Sequence, residues 1–146
     1  MKEIKGRCLI DTNVLIYATL ESDPRFEIAQ RVLMQSTRAT LFISVQNLAE
    51  MYPNLTGPRN KNPDTAEIAS LKIESIKTLS NVSVIPVTAG ILSLALELCK
   101  KYNIARQKYF DMQLVASMLH FQVETIITEN DKDFNNIKEI KVWNPF

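Results

Sequence analysis

The chain has 146 residues, 46% of them apolar, enough for one core in a single domain, residues 1–146, without disulfides or a structural metal. Lys and Arg total 17 against 16 Asp and Glu, a formal charge of +1, so no one-sign field marks a membrane surface or duplex DNA, and any polyanion site must be local. Gly6, Gly57 and Gly90 are too few and too scattered for the glycine-rich loops of ATP or dinucleotide folds. Cys8 and Cys99 lack C-x-x-C spacing and His120 is the only histidine, so structural zinc, a disulfide framework and a Cys/His nucleophile pair all lack parts. Lys2 and Lys5 precede an apolar run, but Asp11 and Asn13 cut it and no long hydrophobic stretch follows. A soluble, reduced, cytoplasmic protein is expected.

From residue 7 onward, short β-branched or apolar runs alternate with helical periods, the signature of a parallel sheet covered by helices. Arg7 to Ile10 predicts a strand buried on both faces. A helix follows from Asn13 to Leu20, and Ser22-Asp23-Pro24 restarts the chain with cap residues and a proline suited to a first helical turn. Phe26, Ala29 and Leu33 share one helical face, with Ile28 and Val32 beside them. Thr40 to Ser44 is a second strand, and Ser44 is placed to cap the helix carrying Glu50. Pro53 to Pro63 collects three prolines, a glycine and three asparagines, which predicts a loop between helices. Asp64 with Glu67 predicts a capping box, and Ile68, Leu71, Ile76 and Leu79 the buried stripe of the next helix. Val82 to Val87 is a third strand, whose Pro86 fits only near its end or at an edge. Thr88 opens a helix to about Tyr102, with Ile91, Leu94, Ala95 and Leu98 inward. Another helix runs from Gln107 to His120, Thr125 to Thr128 is a buried strand, and residues 139–142 add a short one fixed by Trp143.

In a parallel sheet the strand ends meet the helix starts at one edge, so polar groups just after strands and in first helical turns gather there. Asp11 directly follows the first strand, Glu50 lies six residues past the second, Asp111 opens a helix, and Asn130, Asp131 and Asp133 follow the strand ending at Thr128. Taken singly, each has an ordinary use: Asp11 as a helix N-cap, Glu50 as a solvated helix residue, Asp111 as a complement to the helix dipole, and residues 130–133 as a polar turn. Taken together, they point to one cleft. Two carboxylates about 6 Å apart repel by roughly 3 kcal/mol at an effective dielectric near 20. Three therefore cost on the order of 8 kcal/mol, comparable with a domain's whole stability of about 5 to 15 kcal/mol. A raised pKa or a bound divalent cation relieves that repulsion, and oxygen-only ligands favour Mg²⁺ or Mn²⁺ over zinc. Metal-assisted attack of water on a phosphodiester is the reaction such a site suits.

The strings LIDTNVLIYA (residues 9–18), SVQNLAE (44–50), DMQLVASML (111–119) and ITENDKDF (127–134) resemble, in order and spacing, the four motifs of PIN domains, most closely the VapC-type ribonuclease toxins. The resemblance spans nearly the whole chain, and Asp-Thr-Asn after a buried strand is its most specific piece. It implies a three-layer α/β/α sandwich with a central, mainly parallel sheet. It also implies a Mg²⁺- or Mn²⁺-dependent endoribonuclease acting on RNA, the toxin of a toxin–antitoxin pair, forming a homodimer and bound by an antitoxin peptide that covers the cleft. By motif, Asp11 and Asp111 hold the metal, and Glu50 assists as a ligand or positions the attacking water. Thr12, Asn13, Thr128 and Asn130 support them. The departure is at the fourth motif: many members carry an acid two residues after the Thr, where this chain has Asn130. Asp131 and Asp133 are each close enough to substitute, and Asp133-Phe134 has the alternative use of pinning the turn.

Lys100, Lys101, Arg106 and Lys108 precede the Asp111 helix, and Arg59 and Lys61 sit on the 53–63 loop. Both clusters are placed to border the cleft and contact RNA phosphates, or are ordinary surface charge. Tyr102, Tyr109 and Phe110 offer stacking surfaces for unpaired bases, or core packing. Two other classes compete. Phosphoryl transfer through an aspartyl nucleophile needs an acid at position 13, where Asn13 stands. A PIN-like binding module without catalysis is the reading that Asn130 keeps open. Asp23 to Thr37 and Met51-Tyr52 are candidate partner surfaces, equally explained as core.

Overall fold

The apolar run after Gly6 forms strand β1 (Gly6–Ile10), in which Cys8, Leu9 and Ile10 are fully buried. A strand apolar on both pleat faces needs cover on both sides, which places it at the centre of a sheet. The computed structural model describes residues 3–34 and 38–146. Lys2 and residues 35–37, the end of the candidate surface from Asp23 to Thr37, lie outside them. Among the described residues, β2 (Ala39–Ser44), β3 (Val82–Ile85), β4 (Thr125–Ile127) and β5 (Lys141–Trp143) join β1 in the order β3-β2-β1-β4-β5. Every pair is parallel. The chain builds outward from β1 through β2 and β3, then returns to lay β4 on the other side of β1. A crevice opens where the order reverses, at the carboxyl ends of β1 and β4. Ile10 pairs with Ile127, so Asp11 and Thr128 emerge there side by side.

Helices cover both faces. α1 (Thr12–Tyr17), α2 (Phe26–Met34), α3 (Val45–Thr56) and α4 (Ala66–Lys77) pack on one face with Cys8, Ile10, Leu15, Ile43, Met51 and Leu55. α5 (Ala89–Tyr102) and α6 (Tyr109–His120) pack on the other with Leu9, Phe42, Ile91, Met112, Val115 and Ile126. The split of Cys8 and Ile10 from Leu9 is the two-residue period of a strand. A 3₁₀ turn (Arg106–Lys108) leads into α6, and the single turn α7 (Asp131–Phe134) follows β4. This is the expected three-layer sandwich. No helix among the described residues is long and apolar enough to cross a membrane.

Several local expectations change. The first helix ends at Tyr17 rather than Leu20. Pro53 does not end α3, which continues to Thr56 because Leu55 is fully buried. Asn54 Nδ2 and Thr56 Oγ1 bond back to the Glu50 and Tyr52 carbonyls at 2.8 and 2.9 Å, and burial outweighs the missing Pro53 N–H. α3 stops at Gly57, where a Cβ would lie 2.5 Å from the Pro53 carbonyl oxygen. The Asp64–Glu67 capping box does not form: Thr65 Oγ1 accepts from Ile68 N at 3.2 Å, while Asp64 binds Lys72 Nζ at 2.8 Å. Ile76 is buried, but Ile68 and Leu71 are 49% and 64% exposed. With Phe26, Leu33 and Met34 they line a groove of about 580 Å³ between α4 and α2. β3 ends at Ile85, just before Pro86, on the sheet edge. Met51 is core and Tyr52 is exposed.

Candidate active site

Asp11 leaves the sheet centre and caps α1, its Oδ1 accepting from Thr12 N at 2.8 Å. The ordinary capping use and the cleft position are therefore the same geometry. Its Oδ2 accepts the Thr128 hydroxyl at 2.7 Å and Asn13 Nδ2 at 3.3 Å, and Asn47 Nδ2 reaches Oδ1 at 3.4 Å. Asn13 also accepts from Glu129 N at 3.1 Å and reaches Thr128 Oγ1 at 3.2 Å, so it stitches the end of β1 to the end of β4. Ser44 caps α3 through Gln46 N, with Asn47 Oδ1 accepting from Ser44 N. That capping box sets the phase of α3 and brings Glu50, on its second turn, to the same edge. Glu50 Oε2 accepts the Thr12 hydroxyl at 2.9 Å and Oε1 accepts Gln46 Nε2 at 2.8 Å.

Asp11, Glu50, Asp111 and Asp133 line one cavity of about 200 Å³, together with Thr12, Asn13, Asn54 and Asn130. Among the described residues no basic side chain lines it, and Lys108 Nζ reaches Asp133 Oδ1 from outside at 3.9 Å. Burial pushes Asp11 up to about 6, against the Thr128 and Thr12 hydrogen bonds, and the Glu50 and Asp133 charges add to the rise. Burial, then the charges of Asp133, Asp11 and Glu50, lift Asp111 to about 7, opposed by Lys108. Desolvation and like charge thus act together and outweigh the one opposing cation, Lys108. The donor set fits a hard divalent cation: its carboxylates offer oxygen alone, and among the described residues no hydrogen bond acts on the Asp111 carboxyl group. Among the described residues, no three of these acids stand close enough to hold one ion directly. One or two carboxylates with water completing the shell is the usual way of holding Mg²⁺.

The PIN domain family model matches residues 8–140, most of the chain. The chain belongs to the PIN domain family. Ribonuclease VapC24 of Mycobacterium tuberculosis is 25% identical to this PIN domain over 150 residues, covering 93% of this chain and 94% of the relative. Two solved structures share its fold. VapC20 of M. tuberculosis, a sarcin–ricin-loop-cleaving toxin, superposes with a TM-score of 0.69 at 19% identity, over 92% of this chain and 98% of that one. A toxin–antitoxin complex from Klebsiella pneumoniae gives 0.65 at 22% identity, over 95% and 98%.

In this PIN domain the remaining sequence candidates separate. Asp133 and Asn130 line the acid cavity, whereas Asp131 turns away and accepts Asn144 Nδ2 at 3.1 Å. Arg59 and Lys61 line a second cavity of about 860 Å³ that shares Asn13, Ile16 and Asn54 with the first. Arg106 stands in the left-handed region, φ 58°, at the turn before α6. Lys100 pairs with Glu97 within α5, while Lys101 and the Tyr102 hydroxyl both meet Glu139, just before β5. Sequence reasoning passed over Asn47 and Gln46, the amides that reach Asp11 and Glu50. The available signal was their place in the first turn of a capped helix, with Gln46 four residues before Glu50.

Proposed function

We propose that the chain is a metal-dependent endoribonuclease that hydrolyses RNA phosphodiester bonds, and the toxin of a toxin–antitoxin pair. The observation that carries this reading is the convergence of Asp11, Glu50, Asp111 and Asp133 on one cavity at the sheet's switch point, with no basic side chain lining it among the described residues. RNA as substrate and an antitoxin as partner are supported by the relatives, one a ribonuclease and another held in a toxin–antitoxin complex.

Asp11 and Asp111 hold Mg²⁺ or Mn²⁺ in this reading, with Glu50 and Asp133 completing the acidic wall. When bound, the cation supplies orientation of the phosphate, a lowered pKa for water and neutralisation of developing charge. Thr12, Asn13 and Thr128 fix the Asp11 carboxylate, and Thr12 also fixes one oxygen of Glu50. Arg59 and Lys61 flank the adjoining cavity, which Glu21, Asp23 and Asp64 also line, and these two cations are placed to meet phosphates of an unpaired strand. Lys108, in the turn before α6 that also carries Arg106, reaches Asp133 at 3.9 Å. A basic side chain of the antitoxin has an electrostatic place in the acid cavity, and a second copy of the chain completes a homodimer.

Cleavage of structured RNA with Mg²⁺ by purified protein, compared with Asp11→Asn, tests the assignment. The wild type is expected to cut and the variant to lose cutting; equal cleavage by both overturns it. Calorimetric titration with Mn²⁺ separates this reading from a degenerate binding module, which binds no ion and is indifferent to Asp111→Asn. Asp133 in the cavity weakens the module reading, since Asn130 no longer leaves the fourth wall without an acid.

A further inference from the structure

Glu50 is not held by its own helix alone. Gln46 lies one turn earlier on the same face of α3, is 7% exposed, and donates from Nε2 to Glu50 Oε1 at 2.8 Å. The other hydrogen of that amide goes to the Phe110 carbonyl at 2.9 Å, and Gln46 Oε1 accepts Gln113 Nε2 at 2.7 Å. Gln113 Oε1 in turn accepts the Tyr109 hydroxyl at 2.9 Å. Gln46 therefore has both hydrogens and its oxygen in use. A flipped amide would set its oxygen against a carboxylate and a carbonyl, neither of which can donate, so one orientation survives. Every hydrogen in the chain points from Tyr109 toward Glu50.

We propose that Gln46, oriented by Gln113 and Tyr109, is a positioning residue for the nuclease reading, on which this inference rests. One buried amide joins Glu50 on α3 to the carbonyl one residue before Asp111 on α6, and so sets the separation of these two acids across the cavity. Thr12, beside Asp11, fixes the second Glu50 oxygen. Glu50 is thereby tied to the neighbours in sequence of both Asp11 and Asp111. Satisfying a buried amide between two helices, and nothing more, predicts lost stability on its removal but no effect that depends on Glu50.

Gln46→Met keeps length and volume and removes the three hydrogen bonds. The expected result is a fall in kcat of about 10- to 100-fold on a single-stranded RNA, with KM within about twofold, and Mn²⁺ binding about tenfold weaker by calorimetry. Tyr109→Phe, at the far end of the chain, is expected to cost less than about threefold. In a Glu50→Ala background, Gln46→Met is expected to change kcat by less than about twofold, because the group it positions is gone. An equal loss in both backgrounds overturns the proposal, as does wild-type kcat and Mn²⁺ affinity in Gln46→Met. Amide exchange by NMR on the metal-free wild type covers the case of a variant that does not fold. The Gln46 side-chain protons are expected to exchange slowly, and rapidly in Glu50→Ala; rapid exchange in the wild type overturns the link. A wild type that cuts no RNA defeats the nuclease reading itself, and amide exchange then still decides whether the link exists.

Discussion

Asp11 accepts hydrogen bonds from Thr12, Thr128, Asn13 and Asn47, and each favours its ionised form. Burial and the neighbouring acids nevertheless win, placing it at about 6. An acid whose pKa is higher folded than unfolded binds more protons in the folded chain between the two values. The metal-free protein should therefore lose stability as pH rises from about 4 to 7, with Asp111, at about 7, acting in the same direction. Asp11→Asn removes one of these titrations. It is expected to match the wild type near pH 4 and to exceed it at pH 7.5 by on the order of 1–2 kcal/mol, once the poorer partners left to Thr128 and Asn13 are counted. Urea unfolding at the two pH values measures the difference, and a variant less stable at pH 7.5 would contradict the charge argument. The acids at 11 and 111 were legible in the sequence because one stands where a strand ends and the other where a helix begins, and Glu50 because it lies within two turns of the end of β2. The fourth position was not. Its orientation depends on Asn144, near the end of the chain, which takes Asp131 out of the cavity and leaves Asp133 in it.

The helices show what periodicity reads and what it misses. The cap of α5 at Thr88 and that of α3 at Ser44 fall where expected, since a cap is a local bond that the adjacent residues decide. α4 departs from this because Thr65 is as good a cap as Asp64, and a lysine two turns along, Lys72, claims the carboxylate. Thr65→Ala is therefore expected to cost about 1 kcal/mol, and Glu67→Ala only a few tenths, since the reciprocal bond of a capping box is absent. Chemical denaturation of the two variants decides between the caps; equal losses would restore the box. The continuation of α3 through Pro53 was hidden for a different reason. Breaker residues announce a loop locally, but the burial of Leu55 is decided by tertiary packing, which no window of a few residues contains. The parallel sheet itself was legible because buried strands and amphipathic helices alternate so regularly, whereas Gln46 and Asn47 are marked only by their place in the first turn of a capped helix and Gln113 by nothing local.

At the scale of the molecule, a net charge of +1 conceals a partial separation: among the described residues the charged side chains lining one cavity are all acids, while Arg59 and Lys61 border the next together with Glu21, Asp23 and Asp64. Binding of single-stranded RNA to catalytically silent Asp11→Asn protein should weaken with salt, and removing both cations with Arg59→Ala and Lys61→Ala should flatten the log–log slope by about 1.4. An unchanged slope would place the strand elsewhere. The same separation links folding to divalent ions. The unfolded chain disperses its carboxylates and has no comparable site, so an ion that binds only the folded form stabilises it by about 2.7 kcal/mol at a hundred times its Kd. For a chain of this size that corresponds to a Tm rise of roughly 5–10 °C. Protonation competes for the same oxygens, so the rise should be large at pH 7.5 and small at pH 5, below the values of Asp11 and Asp111. Melting with and without Mn²⁺ at both pH values, for the wild type and Asp111→Asn, reads this directly. An ion effect independent of pH, or retained in full by Asp111→Asn, would mean that the cation binds somewhere other than between these acids.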